Sequence, residues 1–338
     1  MMRKTVLLLC VLLALLVALP VIGQTTLNGA GATFPNPMYS KWFSEYNMIH
    51  ADVQVNYQPI GSGGGIRQVT EGTVDFGASD MPMTDKQLQD SKTKILNIPT
   101  VLGAVVPAYN IPGVTGEVKF TPEALAGIFL GKITKWNDKE IASANPGVNF
   151  PDKNIVVVHR SDGSGTTFIW TDYLSKVSPE WKSQVGSDTS VKWPLGMGAA
   201  HNEGVAADIR QLSGAIGYVE LIYAVQNKIA YGSVRNSAGV FVKATLEGVT
   251  AAAASAPKMP ADFRVSITNA PGKDAYPISS FTWLLIPSPS KDAAKGKILA
   301  DFLNWMVTDG QKMTAALDYA PLPDNVVAKV KEAVKQVK

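Results

Sequence analysis

Short β-rich runs alternate with amphipathic helical segments along most of the sequence, and this alternation limits the possible folds more than any other feature. Strands are predicted at 53–57, 74–78, 101–109, 155–159, 215–219 and 279–286. Helices are predicted at 37–46, 122–129, 166–176, 204–210 and 294–306. Strands that alternate with helices in this way favour an α/β fold with a largely parallel sheet.

The length indicates two domains. At roughly 150 residues per domain, 338 residues correspond to about two. No long Pro- or Ser-rich linker divides the chain, so we expect the domains to be joined by strands or short crossovers.

The tryptophans raise the question of a sugar-stacking cleft. Trp42, Trp136, Trp170 and Trp193 lie in apolar periodic contexts, which favours packing in the core instead. Trp181, next to Lys182, is predicted on a solvated helix.

The first 23 residues have the pattern of a secretory signal peptide. Arg3 and Lys4 precede an uncharged apolar stretch over 5–22, and cleavage is expected near the small residue Gly23. The alternative is a membrane anchor, because a span needs about 20 apolar residues. The polar residues 24–26 follow at once and favour the signal peptide, so the mature protein is predicted to be exported and soluble.

Cysteine content and charge exclude several classes of protein. The single cysteine, Cys10, lies inside the leader, and Leu9 before it does not suit a lipid-anchored cysteine at a cleavage site. The mature chain would then lack disulfides, thiolate metal sites and a cysteine nucleophile. Loss of Arg3 and Lys4 with the leader lowers the net charge from +3 to +1, which gives no electrostatic reason to expect nucleic-acid binding.

Three clusters of small residues stand directly before predicted helices, and a fourth segment ends a predicted strand with an acid. The clusters are 29–35, 61–65 and 160–166, and the fourth segment is 75–80. Glycine allows close approach of the backbone to a ligand, and the first N–H groups of a helix have no partner within it. With the positive end of the helix dipole, these N–H groups form an anion site.

Side chains in the clusters add further donors. They are the hydroxyl groups of Thr33, Ser62, Ser164 and Thr166 and the guanidinium of Arg160. Hydroxyls can donate to an anion, and arginine adds a fixed charge in a planar fork. The alternative is that each cluster is only a tight turn with a Ser or Thr helix cap. Three such clusters with an arginine nearby favour the anion site.

The sequence matches the motifs for catalysis and for cofactor binding only incompletely. Segment 127–134 resembles a phosphate loop, but it has one intervening residue too few, and Ile133 stands where a hydroxyl should bind magnesium. Ser164 lies between two glycines, but Asp162 occupies the first glycine position of a hydrolase elbow. The histidines have no metal-ligand spacing. We therefore predict no catalytic residue, no metal site and no cofactor.

Five segments, taken together, are recognisable: 29–35, 75–80, 160–166, 214–220 and 318–323. They closely resemble the periplasmic phosphate-binding proteins of phosphate ABC importers, with similar spacing over essentially the whole mature chain. The resemblance implies an α/β, two-lobed periplasmic binding protein (type II). Each lobe would be a mixed, mostly parallel sheet flanked by helices, with the ligand cleft between the lobes. Lobe 1 would comprise 24–104 plus 225–338, and lobe 2 would comprise 105–224.

The same resemblance implies the ligand contacts and the partners. Residues expected to bind phosphate are Ala32, Thr33, Phe34, Ser62, Asp80, Arg160, Ser164, Gly165 and Thr166. Asp162 would pair with Arg160 and hold its guanidinium in place. The implied partners are inorganic phosphate and the membrane permease and ATPase subunits of an ABC importer. The protein would be a periplasmic monomer without enzymatic activity.

Asp80 looks out of place in an anion site until protonation is considered. Phosphate keeps at least one proton at neutral pH and can donate it to a carboxylate, whereas sulfate offers only lone pairs. Sites that require a donor on the ligand reject analogues without it by roughly 10⁴-fold or more.

Two alternatives stay open. The same scaffold could bind another tetrahedral oxyanion, either arsenate, which also keeps a proton, or sulfate. A secreted phosphatase or serine hydrolase using Ser164 is the other alternative, and it would need a nearby base and usually a metal.

Overall fold

The computed structural model describes residues 24–256 and 258–337, and the predicted signal peptide at 1–23 lies outside the described residues. The strands in this part of the chain are β1 (Thr25–Gly31), β2 (Val53–Gln58), β3 (Phe76–Ser79), β4 (Lys94–Asn110), β5 (Lys119–Phe120), β6 (Val156–Arg160), β7 (Met197–Ala199), β8 (Ala215–Glu220), β9 (Ala230–Tyr231), β10 (Ser233–Arg235), β11 (Phe241–Val242) and β12 (Ser279–Ser288).

The helices are α1 (Asn36–Ile49), α2 (Ser62–Glu71), α3 (Asp85–Asp90), α4 (Pro122–Phe129), α5 (Lys139–Ala142), α6 (Gly165–Val177), α7 (Pro179–Gln184), α8 (His201–Gln211), α9 (Leu221–Gln226), α10 (Leu246–Ser255), α11 (Ala293–Met306) and α12 (Asp324–Val334). Two short 3₁₀ helices, Gly310–Met313 and Ala315–Leu317, follow α11. Every predicted strand and helix overlaps an observed one; the largest difference is β4, which begins at Lys94 rather than at 101.

One mixed sheet runs through the molecule in the order β2–β1–β3–β12–β4–β8–β6–β7, with β9 added to β4. Parallel pairs form on both sides of the centre, β1 with β2 and β3, and β6 with β7 and β8. The long strands β12 and β4 between them pair antiparallel with their neighbours. The α/β class is confirmed. The centre of the sheet is antiparallel, whereas the alternation of strands and helices predicted a largely parallel sheet. Local periodicity does not reveal which distant strands pair.

Strand β4 connects two halves of this sheet. It pairs with β12 from Lys94 to Ala104 and with β8 from Val105 to Asn110. We call β2, β1, β3, β12 and the first part of β4 the first half, and the second part of β4 with β8, β6 and β7 the second half. Almost all of β4 and β12 is buried, as expected for apolar strands covered on both faces.

The chain leaves the second half later than the boundary predicted at residue 224. Strand β9 pairs with β4 at Ala108 and Tyr109, and β10 pairs with β5. Strand β11 then pairs with β10. Residues 230–242 therefore pair with the second half and its attached small sheet, whereas lobe 1 was predicted to resume at residue 225; the lobe boundaries stay a prediction. No local pattern reveals this pairing, because β9 and β10 pair with strands more than a hundred residues away.

The tryptophans pack in the core, in agreement with the prediction. Trp42, Trp136 and Trp170 are fully buried, and Trp193 is partly buried against the core. Trp181 is also fully buried and donates from its indole N–H to the Gly186 carbonyl, so its predicted solvated position is wrong. Within residues 24–256 and 258–337, no helix has the length and apolar character needed to cross a membrane.

Candidate functional site

The small-residue clusters lie where strands of each half end and helices begin. In the first half, β1 and β3 are parallel neighbours, so the turn after Gly31 and the acid after Ser79 lie at the same edge of the sheet. In the second half, β6 ends at Arg160, and α6 begins five residues later at Gly165. The carboxyl ends of parallel strands are the usual place for a ligand in α/β folds.

The two halves meet at these clusters. The Gly63 N–H donates to the Gly163 carbonyl at 2.9 Å. A Cβ atom built on Gly165 would lie 2.4 Å from Ser62 Oγ and 2.6 Å from Asp80 Oδ2. Helix α6 of the second half thus begins directly against the serine and the carboxylate of the first half.

The structure brings together eight residues that we call the cage: Thr33, Phe34, Ser62, Asp80, Arg160, Ser164, Gly165 and Thr166. All eight are buried. Ala32 is buried beside them, but its N–H donates to the Ala78 carbonyl and its own carbonyl accepts from the Tyr57 hydroxyl. Both backbone groups of Ala32 therefore already have a hydrogen-bond partner, and its expected contact with the ligand stays a prediction.

Asp80 is the carboxylate of the cage and is almost completely buried. Thr282 on β12 donates to its Oδ1 at 2.7 Å, while Ser62 Oγ lies 3.4 Å from Oδ2. Burial raises the pKa of Asp80 to about 7, although the Thr282 hydrogen bond and the charge of Arg160 act in the opposite direction. Thr282 donates to Oδ1 at a short distance, whereas Oδ2 receives only the long contact from Ser62 and faces Gly165, so Oδ2 is the oxygen that can accept a proton from a ligand.

Arg160 supplies the positive charge, and Asp162 orients it. The guanidinium Nε donates to Asp162 Oδ1 at 2.7 Å, and Nη2 donates to Oδ2. Burial alone would raise the pKa of Asp162, but the hydrogen bonds and charge of Arg160 and the His201 N–H outweigh it, so the pKa is lowered. A bidentate pair fixes the plane of the guanidinium, and Nη1 is left facing Thr166 Oγ1 at 3.4 Å.

The serine hydroxyls are already arranged as donors. Ser62 Oγ accepts the Asp80 N–H at 3.1 Å, and Ser164 Oγ accepts the Thr167 N–H at 3.0 Å as the N-cap of α6. A hydroxyl that accepts from the backbone still has its single hydrogen to donate. The Ser164 hydrogen has no acceptor among the described residues, and the Ser62 hydroxyl has only the long 3.4 Å contact to Asp80 Oδ2. The Phe34 N–H makes no hydrogen bond to any described residue, and the N–H of Gly165 is among the first of a helix, which find no partner within it.

Several residues around the cage were not predicted. The hydroxyl groups of Tyr223 and Tyr319 donate to the carbonyls of Thr33 and Phe34, each at 2.6 Å. Thr282 holds Asp80 as described above, and Asn202 reaches Thr33 Oγ1 at 2.8 Å. All four contacts join segments more than 150 residues apart, so no local motif could reveal them. Tyr319 does lie in the recognisable segment 318–323, which was the one available signal.

A second carboxyl, Glu220, is completely buried behind the cage. Its Oε2 accepts the Ile222 N–H at 2.8 Å, and its Oε1 has no hydrogen-bond partner among the described residues. Burial raises the pKa of Glu220 well above its usual range, and the nearby Asp318 and Asp80 add to the shift. The neutral form that this favours places no extra negative charge behind an anion.

In the described part of the chain, Ser164 is not paired with a side chain that could act as a base. Ser164 Oγ has no hydrogen bond to a His, Asp or Glu side chain in the described part of the chain. His159 stacks on Trp193 with ring centroids 4.7 Å apart, and its Nδ1 contacts the Arg160 carbonyl. Among the described residues, no group of three His, Asp or Glu side chains could hold a metal.

Comparison with known proteins gives consistent matches. The model of the PBP superfamily domain matches residues 22–310. The phosphate-binding protein PstS of Xylella fastidiosa strain Temecula1 is 48% identical over 306 residues, which is 90% of this chain and 83% of that protein. The protein of the same name from Haemophilus influenzae is 45% identical and covers 94% of this chain and 95% of its own.

Solved structures with the same fold have lower sequence identity. A high affinity periplasmic phosphate-binding protein, PfluDING, bound with phosphate, has a TM-score of 0.71 at 23% identity and covers 91% of this chain and 93% of its own. The phosphate binding protein of Stenotrophomonas maltophilia has a TM-score of 0.68 at 19% identity, with coverage of 91% and 93%. These structures confirm the two-domain fold.

Proposed function

The chain belongs to the phosphate-binding protein PstS family of the PBP superfamily, and from that premise we propose that it captures inorganic phosphate in the cage between the two halves of its sheet. The observation that carries the proposal is the composition of the cage: hydroxyl, N–H and guanidinium donors from both halves surround one buried carboxylate, Asp80. A tetrahedral anion that keeps a proton matches this set.

The donors offset the cost of taking the anion out of water. An unpaired ion moved into a low-dielectric interior would cost tens of kcal/mol in the idealised limit. Arg160, the hydroxyls and the helix N-terminus at Gly165 each contribute to stabilising the ion. A micromolar dissociation constant corresponds to only about −8 kcal/mol, so the loss of a few of these bonds removes useful affinity.

Asp80 selects the ligand. A phosphate hydroxyl donates to its free oxygen, whereas sulfate would place two acceptors face to face. Arsenate keeps its proton and fits the same description, so phosphate is favoured over arsenate by the family alone. The absence of a base for Ser164 in the described part of the chain favours a binding protein over a phosphatase.

Membership of the family supports a wider role. We place the mature protein in the periplasm as a monomer that passes phosphate to the permease and ATPase subunits of an ABC importer. Lobe 1 would comprise residues 24–104 and the C-terminal part of the chain. Lobe 2 would begin at residue 105, where β4 changes partner, and extend through residue 242. The ligand cleft lies between them.

Isothermal titration calorimetry with phosphate, arsenate and sulfate tests the proposal, with a chromogenic phosphate ester as a check for turnover. We expect phosphate to bind, sulfate to be rejected and the ester to stay intact. Arg160→Ala removes the charge of the cage and leaves Asp162 unpaired near the anion, so phosphate affinity should fall at least about 100-fold.

Arg264→Ala is the matched control. Arg264 forms ion pairs with Asp85 and Asp262 and contacts no residue of the cage. It should leave phosphate affinity unchanged. Equal affinities of the parent and Arg160→Ala proteins, or turnover of the ester, would contradict the proposal.

A further inference from the structure

Asn202 is a completely buried polar side chain that neither the sequence motifs nor the proposed cage uses. It is the second residue of α8, next to the cage but not in it. Its Nδ2 donates to Thr33 Oγ1 at 2.8 Å and to Thr166 Oγ1 at 3.2 Å. Thr33 follows β1 of the first half and Thr166 lies in α6 of the second, so one amide group joins a hydroxyl from each half.

The orientation of this amide is fixed by the backbone. Asn202 Oδ1 accepts the Glu220 N–H at 3.0 Å. A backbone N–H can only donate, so the carboxamide oxygen must face Glu220 and the NH₂ group must face the threonines. The reverse orientation would place two donors together at Glu220.

The amide of Asn202 restricts the direction in which each threonine hydroxyl can donate its hydrogen. A threonine hydroxyl has one hydrogen and can either donate it to a neighbour or turn it elsewhere. Because the NH₂ group of Asn202 offers only donors, neither Thr33 nor Thr166 can donate to it. Arg160 Nη1, the other polar neighbour of Thr166 Oγ1, is also a donor. Both hydroxyl hydrogens are thereby available to an anion in the cage.

We propose that Asn202 is a positioning residue for the anion: it holds the Thr33 and Thr166 hydroxyls as donors and links the two halves of the sheet in the arrangement that binds the ligand. The inference rests on the proposed function, since it specifies how that same site is made donor-rich. This role differs from simple packing, because the effect of Asn202 on phosphate affinity depends on the hydroxyl groups of Thr33 and Thr166.

Asn202→Ala should weaken phosphate binding by about 10- to 100-fold, the range that corresponds to the loss of hydrogen bonds to a charged ligand. The diagnostic measurement is a pair of double-mutant cycles by calorimetry, with Thr33→Val and Thr166→Val as the partner substitutions. If Asn202 acts through the hydroxyls, its fold-loss should shrink at least about threefold in each valine background. An identical fold-loss in both backgrounds would overturn the proposal.

Asn202→Asp provides an independent readout. An ionised carboxylate at this position would accept from the threonines and draw their hydrogens away from the anion, whereas a protonated one can donate again. The ratio of variant to parent dissociation constants should therefore decrease as the pH is lowered from 8 to 5. A ratio that does not change with pH would contradict the proposal.

Asn145→Ala is the matched control for loss of a buried amide. Asn145 donates to the Lys119 and Ile141 carbonyls and contacts no residue of the cage. It should lower the unfolding temperature without changing phosphate affinity. If the parent protein binds no phosphate, the proposed function fails; if the parent binds and both Asn202 variants match it, this inference alone fails.

Discussion

At the scale of single residues, we propose that Asp80 accepts a hydrogen bond from a protonated ligand. Its Oδ1 is taken by Thr282, and its Oδ2 faces the start of α6. In Asp80→Asn, an NH₂ group can donate to a fully deprotonated anion, which removes the repulsion that excludes sulfate. We expect the ratio of phosphate affinity to sulfate affinity to fall at least about tenfold, measured by calorimetry with each anion.

The control for that change is Asp152→Asn. Asp152 pairs with Lys135 at an exposed site and contacts no residue of the cage, so the anion preference should stay that of the parent. An Asp80→Asn protein that still rejects sulfate as strongly as the parent would show that Asp80 does not set the selectivity.

The buried carboxyl of Asp80 also makes stability depend on pH. With the two halves together, burial raises its pKa to about 7, from 3.8 when exposed. Between these values this carboxyl holds more protons in the folded state than in the unfolded state. Its contribution to the free energy of unfolding is therefore greatest below about pH 4 and is lost as the pH rises through 7. The slope contributed by this group is at most about 1.4 kcal/mol per pH unit.

Urea unfolding without phosphate, compared for the parent and Asp80→Asn at pH 4.5 to 8, measures this effect. Glu220 has a raised pKa as well, but it is present in both proteins, so its own slope largely cancels in the difference. The variant should gain stability relative to the parent as the pH rises towards 7. A difference that stays flat across this range would refute the assignment.

At the scale of elements, helix α6 carries the contact between the halves. It begins at Gly165, where a Cβ would lie 2.4 Å from Ser62 Oγ. Gly165→Ala should prevent full closure on the anion, because the new Cβ would overlap Ser62 and Asp80 of the other half. We expect phosphate affinity to fall at least about 100-fold by calorimetry.

Gly204→Ala in α8 is the matched control. Its Cβ would meet Ala199 at an ordinary contact distance of 3.6 Å. Affinity should therefore match that of the parent. Tight binding by Gly165→Ala would mean that the halves need not approach as closely as they do here.

The strand–turn–helix units of the site were predictable because their signals are local. The cap of α6 at Ser164 and the glycine at the start of α2, Gly61 with φ of 88°, can be read within a few residues of sequence. The contacts that distant segments make to the site and to the sheet around it were not predictable. Tyr319 reaches Phe34 across 285 positions, and residues 230–242 return to β4 and β5 through long-range pairing. Such contacts depend on the whole fold, which local periodicity does not encode.

At the scale of the whole molecule, the halves are joined by a continuous strand and by contacts that exist only when they are together. Strand β4 connects them at Ala104 and Val105, while the Gly63–Gly163 hydrogen bond and the Tyr223–Thr33 hydrogen bond cross between them. A ligand that engages donors of both halves binds the closed arrangement better and shifts the population towards it.

Small-angle X-ray scattering of the mature protein should therefore show a smaller radius of gyration with saturating phosphate than without it, at a mass of one chain. The unfolding free energy should rise together with this compaction, by about 4 kcal/mol at a phosphate concentration of 1,000 Kd. Arg160→Ala should keep the larger radius at about 10 times the parent Kd, a concentration that nearly saturates the parent but leaves a variant with about 100-fold lower affinity mostly unoccupied. An unchanged radius in the parent protein, with phosphate bound by calorimetry, would mean that the anion enters a preformed cage and that closure is not part of its capture.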